Sequence, residues 1–464
     1  MTSTRTSIHG QWSSRWVFIL AATGSAVGLG NIWRFPYLTG ENGGGAFVLV
    51  YLFCVVMMGI PIMMAEILLG RRGRKNPINT MHTLAIEEGL SPNWRLLGWL
   101  GVIAGFIILS YYSVIAGWTI AFIFKTGMGD FVGSNADQTT AIFSELISNP
   151  KILLFWHTFF MFLTIYIVSR GVKSGLEQAV KFLMPALFIL LLVMVGYAMS
   201  TERFLDGLKY LFVPDFSVLA NKNLFSDVFL PALGQAFFSL SIGMGAIMIY
   251  GSYLSKDSSI TFNSFVIALA DTGVAILAGI AIFPIVFTYG LEPSGGPGLI
   301  FVSLPIAFGQ MPLGTFFGCL FFILLMFAAW TSSISLLEPA VTWMVENRKM
   351  TRYKAAYIAG FIAWLLGLLT VLSFNHWAFK FSFAGKTYEN GLFDIFDVLT
   401  ANIMLPLGGV LIAIFTSWLM SRSSTIDELG LSDSIAYKIW RFIIRYVAPL
   451  GVVVIFFNAI GLFS

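Results

Sequence analysis

The sequence predicts an all-α polytopic membrane protein. Two five-helix repeats insert with opposite topology, helices 1 and 6 are broken, and an eleventh helix follows. Three observations carry that prediction. The 464 residues are 57% hydrophobic and 11% charged, with mean hydropathy +0.84, whereas a soluble domain carries about 25% charged residues. Eleven apolar stretches are each long enough to cross a hydrocarbon core, which takes about 20 helical residues. The first and sixth of them are interrupted by glycine at mid-depth.

The stretches cover residues 12–39, 43–69, 96–124, 151–169, 175–199, 227–254, 262–289, 313–345, 355–372, 392–420 and 435–462. They divide the chain into a tail (1–11), a first repeat (12–199), an extracellular loop (200–226), a second repeat (227–420) and a last helix with the C-terminus (421–464). The opening residues, MTSTRTSIHGQWSSR, are polar and weakly basic, with no small-residue cleavage site after a short apolar core. They read as a retained cytoplasmic tail, not a removable signal peptide.

Loop charge gives the orientation. Arg71, Arg72, Arg74 and Lys75 follow the second stretch, Arg170 and Lys173 the fourth, and Arg348, Lys349, Arg352 and Lys354 the eighth. Arg422 follows the tenth, and Lys438 and Arg441 open the eleventh. Residues 127–149 carry Asp130, Asp137 and Glu145 and no base. The positive-inside rule puts the N-terminus in the cytoplasm of a plasma (inner) membrane, and an odd helix number puts the C-terminus outside. Bases in alternate loops are orientation signals, so nucleic acid is not an expected partner; membrane lipid is. Cys54 and Cys319 lie in apolar runs, and His9, His82, His157 and His376 are scattered, which disfavours a disulfide framework or thiolate metal site. Residues 290–312 form a long Gly- and Pro-rich loop that is apolar at its centre. Such a loop is expected to fold back onto the protein as a plug or lid.

The first interruption is TGSAVGLGNIWRFP (23–36), where Gly24, Gly28 and Gly30 crowd together. Each glycine costs about 1 kcal/mol relative to alanine in a helix, and broken backbone at membrane depth survives only where it is buried or lines a cavity. The sixth stretch, LGQAFFSLSIGMGAIMIYGSY, carries Ser239, Ser241, Gly243 and Gly245 at the matching depth. Gly-interrupted segments at corresponding positions of two halves point to a secondary transporter's binding site. The bland alternative is a pair of Gly-rich packing helices. Half-helix N-termini offer free N–H groups and a positive dipole end to a carboxylate, and unwound carbonyls suit cations. An amino acid satisfies both.

A charge at the bilayer centre costs on the order of 2.5–3.5 kcal/mol, so each polar group there needs a reason. Asn31 and Arg34 follow the first break, Asp271 lies mid-way in the seventh stretch, and Thr331, Ser332 and Ser333 lie within the eighth. Glu66 and Glu338 fit a structural network, and Asp394 and Asp397 open the tenth stretch. These hard oxygen donors suit Na⁺, and the soft donors of transition-metal sites are missing from the set. A hydroxyl run by itself equally well joins helix to helix. A channel would need a continuous polar lining, and an enzyme a catalytic constellation; neither HExxH nor GxSxG occurs.

The segments QWSSRWVFILAATGSAVGLGNIWRFPYL, ENGGGAF, GIPIMMAE, SYYSVIAGW, GQAFFSLSIGMGAIMIYGSY, WTSSIS and LFDIFDVLTANIMLPLGG follow one another along nearly the whole chain. In them the chain resembles the neurotransmitter:sodium symporter family, in its branch of bacterial eleven-helix amino-acid transporters with the leucine-transporter-like fold. The resemblance implies two Na⁺ ions and no organic cofactor. Position by position, it implies a first sodium site from the Ala26 carbonyl, Asn31, Ser239, Asp271 and the substrate carboxylate. A second would use the carbonyls of Gly24, Val27 and Ala328 and the hydroxyls of Thr331 and Ser332. The implied substrate pocket comprises Ser25, Ala26, Leu29, Gly30, Ile108, Tyr112, Phe238, Ser239, Ser241, Met244, Ser332 and Leu336. Tyr112 would donate to the carboxylate and form an aromatic lid with Phe238. Arg34 and Asp397 match an outer ion-pair gate, and Trp12, Tyr253 and Glu346 an inner one.

Three departures from the family pattern shape the functional expectation. Gly28 stands where monoamine carriers place an aspartate, which favours substrates that bring their own carboxylate. Asp271 stands where asparagine is common, and Ala275 lacks the hydroxyl of chloride-dependent members, which implies chloride independence. His9 replaces the usual inner-gate arginine opposite Glu346. Gly175 and Pro185 make a Gly-x₉-Pro spacing that in relatives is associated with unwinding of the fifth helix's cytoplasmic end; a simple proline kink is the equal alternative. The expected function is Na⁺-coupled import of neutral, hydrophobic or aromatic L-amino acids by alternating access. Its rivals are a carrier of another small zwitterion or amine and a non-transporting substrate sensor.

Overall fold

A computed structural model describes residues 5–216, 228–293, 298–383 and 386–459. In chain order the helices are α1 (Arg15–Ala26), α2 (Gly30–Glu41), α3 (Gly45–Gly73), α4 (Pro77–Glu87), α5 (Pro92–Met128), α6 (Ala136–Ser148), α7 (Pro150–Ser169), α8 (Val172–Ala198) and α9 (Phe204–Phe212). They continue with α10 (Leu230–Ser239), α11 (Ala246–Ser252), α12 (Ile260–Thr288), α13 (Leu299–Gln310), α14 (Gly314–Arg348), α15 (Arg352–Ser373), α16 (Gly391–Leu419), α17 (Arg422–Leu429) and α18 (Ile435–Phe442, running on through Ala448–Ala459). A short antiparallel hairpin, β1 (Phe381–Phe383) and β2 (Lys386–Tyr388), precedes α16.

Among the described residues, eight unbroken helices are long and apolar enough to cross a membrane, and α1 with α2 makes a ninth span bent by 54°. The sixth stretch divides into α10 and α11, separated by residues 240–245. The eleven expected stretches all coincide with helices, with ends shifted by a few residues. The expected 227 start of the sixth and the expected 462 end of the eleventh lie outside the described residues.

Both broken spans lie at the centre of the bundle. α1 packs on α12, α14 and α8, and α11 packs on α3 and α1. Broken first and sixth spans at the bundle's centre match the expected leucine-transporter-like architecture. A break exposes backbone N–H and C=O groups, so the chain can afford one only where neighbouring helices supply partners.

Between the spans the structure departs from the loop reading. Residues 290–312 are not a loop throughout: α13 runs through them, with Leu299, Ile300, Phe301, Leu304 and Phe308 buried. The apolar centre explains this. Phe301 packs edge-on against Trp118 (5.6 Å) and stacks on Phe143 (5.5 Å), so the segment forms a helix to satisfy its backbone while burying its rings. The fold-back expectation holds, with a helix as its means. The stretches 200–226, 127–149 and 70–95 likewise contain α9, α6 and α4.

Candidate functional site

The last regular bond of α1 runs from the Val27 N–H to the Thr23 carbonyl (2.6 Å), and there the helix stops. The next two amides are met by side chains. Gly28 N–H donates to Asn31 Oδ1 (3.0 Å), and Leu29 N–H donates to the Tyr112 hydroxyl (3.1 Å). Asn31 therefore caps the break from within the motif that causes it, and Tyr112 does so from α5. Having accepted a hydrogen bond, the Tyr112 hydroxyl keeps its own proton to donate. In the other break, Ser241 (φ 54°), Gly243 (φ 86°) and Gly245 (φ 73°) take the left-handed conformation that glycine tolerates best. Glu66, fully buried on α3, accepts from the Gly243 N–H (2.5 Å), and Ser241 Oγ donates to the Ser25 carbonyl (2.8 Å), joining one break to the other.

Two oxygen clusters flank the first break. In one, Asn31 Nδ2 donates to Asp271 Oδ1 (2.8 Å), to the Asp271 carbonyl (3.0 Å) and to Ser239 Oγ (3.0 Å), while Ser239 Oγ donates to Asp271 Oδ2 (2.5 Å). Asn31 and Asp271 are wholly buried. In the other, Ser332 Oγ lies 3.1 Å from the Val27 carbonyl, 3.2 Å from that of Ala328 and 3.5 Å from that of Gly24. Thr331 Oγ1 is 3.1 Å from the Ala328 carbonyl. Each cluster offers hard, mostly uncharged oxygens, a donor set that fits an alkali cation. Among the described residues no group of three or more His, Cys, Asp or Glu side chains could hold a metal ion.

Between the clusters lies a small cavity lined by Ser25, Ala26, Gly28, Gly30, Ile108, Tyr112, Phe238, Ser241, Met244, Ser332 and Leu336. Of the twelve pocket residues expected from sequence, Leu29 and Ser239 do not line it. Ser239 turns to Asp271, and Leu29 contributes its backbone amide to Tyr112. Gly28 lines the cavity in addition. A Cβ there would meet Ser332 Oγ and the Tyr112 hydroxyl at 2.7 Å each, closer than atoms allow.

The two faces of the cavity are closed to different degrees. On one, the Arg34 guanidinium lies over the Phe238 ring (4.8 Å), and Asp397 accepts from the Tyr111 hydroxyl (3.3 Å). Arg34 and Asp397 interact through their charges but form no ion pair within 4 Å. On the other, Trp12 Nε1 donates to the Tyr250 carbonyl (3.1 Å) and the Tyr253 hydroxyl to Glu338 (2.7 Å). His9 Nε2 and Glu346 Oε1 are 3.1 Å apart. That face is sealed by direct bonds.

The family model described as the sodium:neurotransmitter symporter family matches residues 9–135 and 143–464. The chain belongs to this family. An uncharacterized sodium-dependent transporter of Bacillus subtilis is 37% identical over 98% of either chain. One of Haemophilus influenzae is 34% identical over 96% of this chain and 97% of its own length. The crystal structure of MhsT in complex with L-phenylalanine matches with TM-score 0.87 and 44% identity, over 97% of this chain and 99% of that one. The protein is thus a multi-pass, sodium-dependent symporter.

Several residues that organise the symporter's site escape a reading by motif. Gln235 Nε2 donates to the Gly30 carbonyl (2.9 Å), and Ser335 Oγ accepts from Ser25 (2.8 Å). Asn76 and Asn79 hold both oxygens of Glu346 from α4 and the residue before it: Asn76 N–H donates to Oε1 (2.7 Å) and Asn79 Nδ2 to Oε2 (2.8 Å). Ser13 and Lys181 share Glu177 on α8. A polar residue in an apolar run marks Gln235. Nothing in the sequence marks Asn76 and Asn79, whose role depends on where α4 docks.

Proposed function

We propose that this symporter imports neutral, hydrophobic or aromatic L-amino acids together with two Na⁺ ions by alternating access, without chloride. The observation that carries the reading is the wall at Gly28. Position 28 carries no carboxylate, and a Cβ there would meet the Tyr112 and Ser332 hydroxyls at 2.7 Å, which supports a substrate that brings its own. Tyr112 donates to that carboxylate, and the positive N-terminal end of α2 faces it. The rest of the cavity, Ile108, Phe238, Met244 and Leu336, is apolar, and methionine adapts to more than one side-chain shape. The 44%-identical MhsT, crystallised with L-phenylalanine, supports the same substrate class.

In this reading the Asn31–Ser239–Asp271 cluster, with the Ala26 carbonyl and the substrate carboxylate, takes one ion. The Gly24, Val27 and Ala328 carbonyls with Thr331 and Ser332 take the other. The fixed charge of Asp271 does the work of a bound anion. Arg34 and Asp397 close the outer face, and Trp12, Tyr253 and Glu346 the cytoplasmic one, with the N-terminus inside the cell and the C-terminus outside. Labelled leucine or tryptophan should enter proteoliposomes only under an inward Na⁺ gradient. Equal uptake without sodium would refute symport, and a competition panel of the common amino acids would define the substrate range.

A further inference from the structure

A second cavity opens on the face that carries the N-terminal residues. Arg5, Arg71, Arg72, Arg74 and Lys256 line it. Against them stand Glu87, Asp427 and Glu428, leaving a formal charge of +2. The acids are already engaged. Glu428 accepts from Arg71 Nε (2.5 Å), Glu87 bridges Arg5 (2.8 Å) and Arg72, and Asp427, 3.7 Å from Arg72, has its side chain 80% exposed. Arg74, only 4% exposed, donates to the backbone carbonyls of Ser252 (3.2 Å) and Leu254 and has no carboxylate within 4 Å. Lys256 likewise pairs with no carboxylate among the described residues. The Nε of Arg72 is buried without a partner. Burial lowers the Arg74 guanidinium from its ordinary value; Glu428 opposes this and Arg71 adds to it.

Two cations with no carboxylate within 4 Å and an orphaned N–H around one cavity form the complement of an anion with several oxygens. Three guanidinium groups of one chain segment, Arg71, Arg72 and Arg74, line the cavity, and guanidinium forks match tetrahedral oxyanions in bidentate fashion. We propose that this cavity binds a phosphate oxyanion, carried by the headgroup of an anionic phospholipid or by free phosphate. The place has a consequence for transport. Arg74 holds the backbone just after α11, next to Tyr253, so an anion bridging it to Arg72 and Lys256 ties that half of the broken span to α3 and favours the sealed face.

The test measures binding directly and does not depend on transport. Intact protein in uncharged detergent is titrated with phosphatidylglycerol, and separately with inorganic phosphate at constant ionic strength. Thermal stability and native mass spectrometry are the readouts. Wild type should be stabilised saturably, and Lys256→Gln should weaken the response about tenfold or more, the loss of one charge-assisted hydrogen bond. Arg74→Gln should do the same, but Lys256, whose side chain anchors no backbone carbonyl, gives the deciding variant. A retained phosphatidylglycerol that phosphate does not displace assigns the lipid headgroup, and stabilisation by phosphate alone assigns the free ion. No stabilisation of wild type by either, or an unchanged response in Lys256→Gln, would overturn the proposal.

Discussion

At the scale of single residues, Gly28 and Asp271 decide what this site can hold. Gly28 is needed for space more than for flexibility, because its missing Cβ leaves the gap between Tyr112 and Ser332. Gly28→Ala should therefore lower amino-acid affinity tenfold or more, since overpacking by one methyl group costs about 1–3 kcal/mol. Equilibrium binding of labelled substrate, with circular dichroism to show that the helices persist, checks this. Asp271 is buried with both carboxylate oxygens hydrogen-bonded to Asn31 and Ser239. In Asp271→Asn the same shape remains without the charge. The sodium concentration for half-maximal uptake should rise about tenfold, the equivalent of about 1.4 kcal/mol at the ion; an unaltered sodium curve would remove Asp271 from the ion's surroundings.

At the scale of elements, the two breaks are stable because other elements complete them. α5 supplies Tyr112 to the amide of Leu29, and α3 supplies Glu66 to that of Gly243. Arg5 and Ser13, ahead of α1, are tied to the bundle: Arg5 meets Glu87 on α4, and Ser13 meets Glu177 on α8. Burial alone would raise the Glu87 carboxyl, but Arg5 and Arg72 outweigh it and hold the group below the ordinary carboxylate value. A carboxyl depressed in the bound state stabilises that state above its ordinary value and loses the contribution as pH falls through the depressed one. A nitroxide at Ser7→Cys should thus be immobile at neutral pH and gain mobility only once the pH has fallen below the ordinary carboxylate range. With Glu87→Gln added, the label should be mobile across the whole range. Identical profiles for the two proteins would show that Glu87 does not hold the tail.

At the scale of the molecule, one face of the cavity is bonded shut while the other keeps Arg34 and Asp397 apart, an arrangement suited to loading from the unsealed side. One charge moved across 100 mV is worth about 2.3 kcal/mol. Two sodium ions would supply about 4.6 kcal/mol, enough for roughly a thousandfold accumulation of a neutral substrate. Replacing chloride by gluconate should leave uptake unchanged, because Asp271 already provides negative charge and the neighbouring Ala275 has no hydroxyl to hold a halide. A large loss in gluconate would refute that role.

Composition, apolar run length and glycine placement determined the class, the eleven apolar helical stretches and the two breaks, because a hydrocarbon core imposes those features locally on any chain that crosses it. Asp271, Asn31 and Ser332 stood out for the same reason: a polar group at membrane depth needs a partner. The short helices α4, α6, α9 and α13 were not legible, since none is long enough to span and each forms only against a neighbour. The holding of Glu346 by Asn76 and Asn79, the capping of Leu29 by Tyr112 and the basic cavity around Arg74 were decided by tertiary structure alone. They join residues far apart in the chain, and only the packing of one helix end against another brings such groups within hydrogen-bond reach.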